Sequence, residues 1–516
     1  MERLSFSRSH ARQSLVACMY FSRGTKIGVV LMRPFPLCSG AHNAITLPCF
    51  WVQFSSPMES NGSLEILDVC KVAPFSDSSE PLSELSLPLT FFDTLWFRFS
   101  PVERVFFYPL TDSSDPTSFN SVILPKLKRS LSLTLRRFLP LAGNLTWPSH
   151  AAHPFILYTP NDTVSLTVAE SESNFDRLSG NKPRKATESH PLVPKLSISD
   201  ETATILAVQV TLFPRQGFSI GISTHHSILD GKSTTMFIRA WAHVCKNGDS
   251  SSLPADLTPV LDRTLIQDPD GLQMKFLVEW AKLLRDPNPR NLKVMPQISS
   301  PESLIWSTFE LTGEDIKKLR ERISSQLSEE EEPKSLHLST FVLVCAYTLS
   351  LMAEAKNFEQ KKKVFFGFMA DVRTRLEPPV PVNYFGNCVA SFSTSFEAKD
   401  MVGEDGVVLI AKRISEVIKG MERGVLEETK GALEKFSAIE PGTPTVGVAG
   451  SPRFEVYEAD FGWGRPKKVE ITSVHKTGAF SLAESRDGSG GVEVGLALRK
   501  QGMEVFAASF ADGLRH

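Results

Sequence analysis

Long apolar runs, an excess of one charge and paired cysteines are all missing from this chain of 516 residues. The longest apolar stretch, around Phe341 to Met352, is broken by Tyr347, Thr348 and Ser350; it is too short to span a bilayer and reads as a buried helix. Net charge is −2, so no global field draws the chain to nucleic acid or to an anionic membrane. The seven cysteines, at positions 18, 38, 49, 70, 245, 345 and 388, form no C-x-x-C pair and keep no regular interval. That pattern fits free thiols in a reducing compartment, with Cys245 and Cys345 as core residues. Tyrosine is scarce, 6 copies against 35 phenylalanines, which suits apolar walls around an aromatic ligand but for most of these residues fits a Phe-rich core better. What remains, 41% hydrophobic and 22% charged, is the composition of a globular protein long enough for two to four domains.

The first 57 residues stand apart. Arg3, Arg8, Arg12, Arg23, Lys26 and Arg33 face one acid, Glu2, among many serines, as in an organelle transit peptide. The other reading is an upstream extension with translation starting at Met58, which the polar run Met58-Glu59-Ser60-Asn61-Gly62 favours. Either way, 1–57 is set outside the fold. Beyond it, spacing predicts strands over 66–72 and 156–168, and a helix over 124–138 stopped by Pro140. A hairpin is expected from 205–212 and 218–222 around Pro214 to Gly217. Residues 58–286 form a first domain, 287–300 (rich in Pro, Asn, Arg and Ser) a crossover, and 301–516 a second domain. In the second, Thr312 with Asp315 caps a helix carrying Ile316, Leu319, Ile323 and Leu327. Strands are expected at 364–368, 388–392, 447–449, 492–498 and 505–510, and the acids Glu329 to Glu332 make a solvated loop. Helices and strands without strict alternation argue for an α/β chain of the α+β type in two halves.

One block carries most of the information: His226-Ser227-Ile228-Leu229-Asp230, followed by Gly231. Before it, Phe218-Ser219-Ile220-Gly221-Ile222 has the period of a strand. After it, Met236, Phe237, Ala240, Trp241, Val244 and Cys245 recur at helical spacing. The block thus sits on a strand-to-helix turn, where a rigid scaffold presents an imidazole to a cleft and Asp230 fixes the turn. A histidine so held is suited to general-base work near neutral pH. A hydrogen-bonded turn without chemistry fits the spacing as well.

Other patterns are weighed in the same way. Gly217-Phe218-Ser219-Ile220-Gly221 matches the G-x-S-x-G of serine hydrolases, but that chemistry needs the serine on a sharp turn, and Ser219 lies mid-strand. His225 and His226 point to opposite faces of an extended segment, so they do not share a metal ion. In Asp460-Phe461-Gly462-Trp463-Gly464 two glycines allow a tight path beside a bulky ring, and Asp460 ties the loop, which suits architecture better than catalysis. Arg465, Lys467 and Lys468 after it meet phosphates or are surface charge. A third block, Tyr384-Phe385-Gly386-Asn387-Cys388, follows Pro378, Pro379 and Pro381; the Asn387 amide can donate to a substrate or to local backbone.

Together, His226–Asp230 and Asp460–Gly464 make the chain resemble the plant BAHD acyltransferases, which move an acyl group from coenzyme A to an alcohol or amine. The resemblance runs from about Ser63 to the C-terminus and includes Pro101-Val102-Glu103-Arg104 and Leu139-Pro140-Leu141-Ala142-Gly143. Tyr384 to Cys388, and Ala483 to Gly491, are similar to the branch that malonylates phenolic and flavonoid glucosides. The resemblance implies two similar-sized domains, each a mixed sheet with helices, as in chloramphenicol acetyltransferase, with a solvent channel between them. It implies His226 as general base, Asp230 as the brace of the turn, and an acid–base role for Asp460 by family convention. It implies malonyl-coenzyme A as co-substrate, no permanent cofactor or metal, a glycosylated phenolic acceptor, and a cytoplasmic monomer without nucleic-acid or membrane partners. Residue chemistry offers Arg373, Arg375 and Arg486 for the malonyl carboxylate, and Lys334 for the 3′-phosphate of coenzyme A. A structural ion pair is expected for at least one of these arginines.

Overall fold

Two strands buried along their whole length, Leu206–Phe213 and Gly217–Thr224, anchor one half of the molecule. Their alternating large and small apolar residues pair antiparallel, Ile220 opposite Val210 and Ile222 opposite Val208, around a turn where Arg215 adopts φ 59°. The predicted hairpin is therefore present. Gly221 can carry no side chain, because a Cβ there would stand 1.9 Å from the Leu192 carbonyl oxygen. The structure, a computed structural model, describes residues 64–77, 81–110, 118–248, 252–295, 303–326, 336–358, 362–421 and 424–515. The expectations for residues 1–57, for Glu329 to Glu332 and for Lys334 lie outside them.

The hairpin sits inside a mixed six-stranded sheet, in the order Leu64–Val72, Val164–Ser171, Leu206–Phe213, Gly217–Thr224, Val102–Pro109, Lys468–Ile471. A second mixed sheet of seven strands runs Val389–Glu397, Lys363–Asp371, Thr445–Gly450, Phe480–Glu484, Val492–Arg499, Leu304–Leu311, Arg184–Lys185. Helices cover both. Gly231–Asn247 packs against Leu124–Arg137, where Trp241 Nε1 donates to Ser130 Oγ at 3.0 Å. Leu127, Leu131 and Leu135 are fully buried, as their spacing predicts. Thr340–Ala355 is buried almost all round, and Thr312 and Asp315 form the predicted capping box before Gly313–Gln326. Among the described residues no helix is long and apolar enough to cross a membrane.

Three expectations need correction. Residues 505–510 belong to a helix, Lys500–Asp512, because Met503, Phe506 and Phe510 at steps of three and four bury one face. The stretch 156–168 is two strands, Phe155–Tyr158 and Val164–Ser171, parted by a turn that the Asp162 carboxylate ties to the Thr159 amide at 2.7 Å. The linear division at 287–300 is also too simple. Lys468–Ile471 completes the sheet of the N-terminal half, and Arg184–Lys185 completes that of the C-terminal half. A fully buried Arg184–Glu470 ion pair joins the two exchanged strands. The described part of the crossover, 287–295, is pinned, since the Arg98 guanidinium donates to the Lys293 carbonyl at 2.8 Å and Leu292 is buried. Ser219 is buried within its strand, far from any turn of the kind a hydrolase needs.

Candidate active site

The strand Gly217–Thr224 ends one residue before His225, and the helix Gly231–Asn247 begins one residue after Asp230. Asp230 is the N-cap of that helix: its Oδ1 accepts from the Ser233 amide at 2.8 Å. Its Oδ2 accepts from Arg373 Nη2 at 2.8 Å and from the Cys388 amide at 3.1 Å. Both oxygens are thereby committed to the scaffold, and Asp230 braces the turn.

His226 lies flat on the Trp96 indole, ring centroids 4.1 Å apart and planes 1° apart, with Phe99 at 6.0 Å. Its Nδ1 is buried with no hydrogen-bond partner outside the residue. Burial lowers the imidazole to about 4; the main-chain contact and Asp230 pull upward, and Arg104 pushes down. The ring is thus a neutral base at neutral pH. His225 is fully buried and receives the Ser227 amide on Nδ1 at 3.3 Å.

The Tyr384–Cys388 block is strapped to the same turn. Ser233 Oγ donates to the Gly386 carbonyl at 2.9 Å and accepts from its amide at 3.1 Å. A Cβ at Gly386 would meet Arg263 Nη1 at 1.7 Å, so a side chain there would have to displace the guanidinium. Arg263 donates to the Tyr384 hydroxyl at 2.6 Å, and Phe385 meets Phe138 edge-on at 4.9 Å. Asn387 Nδ2 donates to the His226 carbonyl at 3.1 Å and to Asp93 Oδ1 at 3.0 Å. Its donor hydrogens are therefore spent on positioning His226, which corrects its expected role as a substrate donor.

Arg373 is corrected too. It is 1% exposed, and its fork is held in the scaffold by Asp230, by Asp371 at 3.0 Å and by the Gly386 carbonyl at 2.9 Å, which takes it away from the role of malonyl partner. Arg375 is exposed and donates to the Asp371 carbonyl at 3.1 Å; Arg486 is exposed on the turn after Phe480–Glu484. Lys334 lies outside the described residues.

Asp460 stands at the other end of the helix. Its Oδ1 accepts from the Gly462 and Gly464 amides at 2.8 and 2.9 Å, and its Oδ2 pairs with Lys246 in the last helical turn at 2.6 Å. Lys246 is 16 residues beyond Asp230, or about 24 Å along the axis at about 1.5 Å per residue. Asp460 is thus a loop tie and not an acid–base partner of His226. Gly462 and Gly464 take φ 104° and 92°, while Phe461 wedges edge-on between Tyr108 and Trp241 and Trp463 meets Phe218. Lys468 is buried against Glu493 at 2.8 Å, so it meets no phosphate, and it is not surface charge either. Sequence reasoning missed Asp93, Trp96 and Arg263. Asp93, a lone acid inside Phe91-Phe92-Asp93-Thr94, was the one visible signal.

A neutral imidazole on a braced turn, held between two mixed sheets that trade strands, defines a two-lobed acyltransferase. The Transferase family model matches residues 75–512, and the chain belongs to that family, the BAHD acyltransferases. It is 47% identical over 470 residues to phenolic glucoside malonyltransferase 1 of Arabidopsis thaliana, covering 89% of this chain and 99% of that one. It is 45% identical to the malonyl-CoA:anthocyanidin 5-O-glucoside-6''-O-malonyltransferase of the same plant, over 88% of this chain and 99% of that one. The crystal structure of vinorine synthase shares the fold with a TM-score of 0.64 at 20% identity, covering 86% and 96% of the two chains.

Proposed function

We propose that the protein transfers malonyl from malonyl-coenzyme A to a sugar hydroxyl, at the 6-position, of a phenolic or flavonoid glucoside. The observation that carries this reading is His226, uncharged and oriented by Asn387 and by the Asp230–Arg373 pair, in a chain whose similar relatives bear malonyltransferase names. Nε2 takes the hydroxyl proton as the sugar oxygen attacks the thioester carbonyl. The C–S bond then breaks, and the imidazolium returns the proton to the departing thiolate. General-base assistance of this kind is worth on the order of 10²–10⁴-fold. We further propose a cytoplasmic monomer with coenzyme A thioester and glucoside meeting at His226 in a channel between the two lobes, and with no resident cofactor.

The test supplies malonyl-coenzyme A with a naphthol or flavonol glucoside and follows thiol release and the malonylated product by mass spectrometry. His226→Ala should lose on the order of 10²–10⁴-fold in kcat. Turnover near the wild-type level would overturn the mechanism. The aromatic wall of Trp96 and Phe99 favours a second reading, a hydroxycinnamoyl donor. Preference for coumaroyl-coenzyme A in direct competition would establish it.

A further inference from the structure

Arg373 is committed elsewhere and Arg375 and Arg486 stand exposed, so a buried cation for the donor's free carboxylate has to come from another element of the described fold. Arg104 answers the need. It lies on the strand Val102–Pro109 opposite Ile222 and Ile471, and is 3% exposed. Nη1 donates to Thr235 Oγ1 at 3.0 Å, Nε is buried with no partner, and no carboxylate among the described residues forms an ion pair with it. A buried guanidinium left in this state is costly unless an anion arrives.

The guanidinium borders a cavity of about 20 Å³ whose other walls include Gly450, Phe454, Val469, Ile471 and Leu482. A water needs about 10–15 Å³, so the space is large enough for a small polar group such as a carboxylate oxygen. The cavity adjoins the first residue of the His226–Asp230 helix: a Cβ on Gly231 would stand 2.6 Å from the Phe454 ring and 3.2 Å from Arg104 Nη2. Helix N-termini carry unpaired amides and a positive potential, which a buried cation opposes and an anion complements. The charged groups facing Arg104 are Asp230, already bonded to Ser233 and Arg373, and Glu484. Glu484 spends Oε1 on the Tyr457 amide at 2.9 Å and keeps Oε2 buried and unpartnered. Arg104 is also near enough for its charge to act on His226.

We propose that Arg104, with the first turn of the helix Gly231–Asn247, is the subsite that holds the free carboxylate of the acyl donor. The proposal rests on the malonyl reading. It makes Arg104 a specificity-determining residue: it fixes the far end of the acyl group, while the thioester carbonyl, two bonds away, meets the nucleophile beside His226.

The experiment compares kcat/KM for malonyl-coenzyme A and acetyl-coenzyme A, with one phenolic glucoside, in wild type, Arg104→Met and Arg104→Lys. Loss of a charge-assisted pair should lower the malonyl-to-acetyl preference of the Met variant on the order of 10²-fold. The Lys variant keeps the cation without the fork and should fall between. A merely structural Arg104 would lower both donors together and leave their ratio unchanged, which overturns the subsite. That ratio remains readable in Arg104→Lys should Arg104→Met fold poorly. An unchanged preference in folded variants would mean that the cavity holds only water between Arg104 and Glu484. Wild type preferring acetyl-coenzyme A would defeat the malonyl reading along with the subsite, so the two failures are distinguishable.

Discussion

Asp230→Ala separates bracing from chemistry. The substitution deletes a helix cap worth about 1 kcal/mol. It also leaves Arg373, 1% exposed, with Asp371 as its remaining carboxylate. Breaking one side of a buried pair costs about 3–5 kcal/mol. Because Asp371 still neutralises part of the charge, the low end applies and the total is about 4 kcal/mol. Against a usual margin of about 5–15 kcal/mol, that is a large share of the fold's stability. Asp230→Asn keeps the cap and gives up the charge, so it should cost about 1 kcal/mol less. Adding Arg373→Met to Asp230→Asn removes the orphaned cation, and the pair should show a coupling of about 2–3 kcal/mol in a double-mutant cycle. Urea unfolding followed by circular dichroism, with activity assayed on the same samples, reads all of these. An Asp230→Ala protein that unfolds at the wild-type urea midpoint and yet has no turnover would refute the bracing argument and place the carboxylate in the reaction.

Three further outcomes follow from the same geometry. Burial holds His226 at about 4, so the acid limb of kcat/KM should fall near pH 4; a limb near 6.5 would refute the assignment. The histidines at 190, 225 and 226, all lowered to about 4, bear on stability as well. Their contribution is full above about 6.5 and is lost as pH falls towards 4, because the unfolded chain takes up protons that the native one refuses. Urea midpoints at pH 7 and pH 5 should show that decline, and equal midpoints would contradict it. For Asp460→Asn, kcat should stay within several-fold of wild type with an unchanged pH profile, while stability drops by about 1–2 kcal/mol through the loosened glycine loop. Loss of either limb of the profile would restore Asp460 to the chemistry.

What the chain discloses in one dimension is what it keeps close in sequence. His226, Asp230 and the following helix share one turn, and Thr312 with Asp315 share another, so spacing alone places them. Asp93 and Asn387 meet across 294 positions, and Arg104 and Thr235 across 131, contacts that exist only once the sheets have formed. Arg373 looked free for a ligand because nothing in Asp371-Val372-Arg373-Thr374-Arg375 reveals that Asp230 waits for it. Phe506 and Phe510 read as strand residues because their neighbours are apolar, yet their separation of four favours a helix face. The two exchanged strands, of two and four residues, are too short to leave any periodicity.

That exchange bears on how the protein can move and be divided. A polypeptide severed near position 290 would give two pieces, each holding an edge that belongs in the other's sheet, with Arg184 and Glu470 stranded on opposite fragments. Neither piece is a self-sufficient module. The halves are knitted at both margins, so wide hinge opening is closed to them.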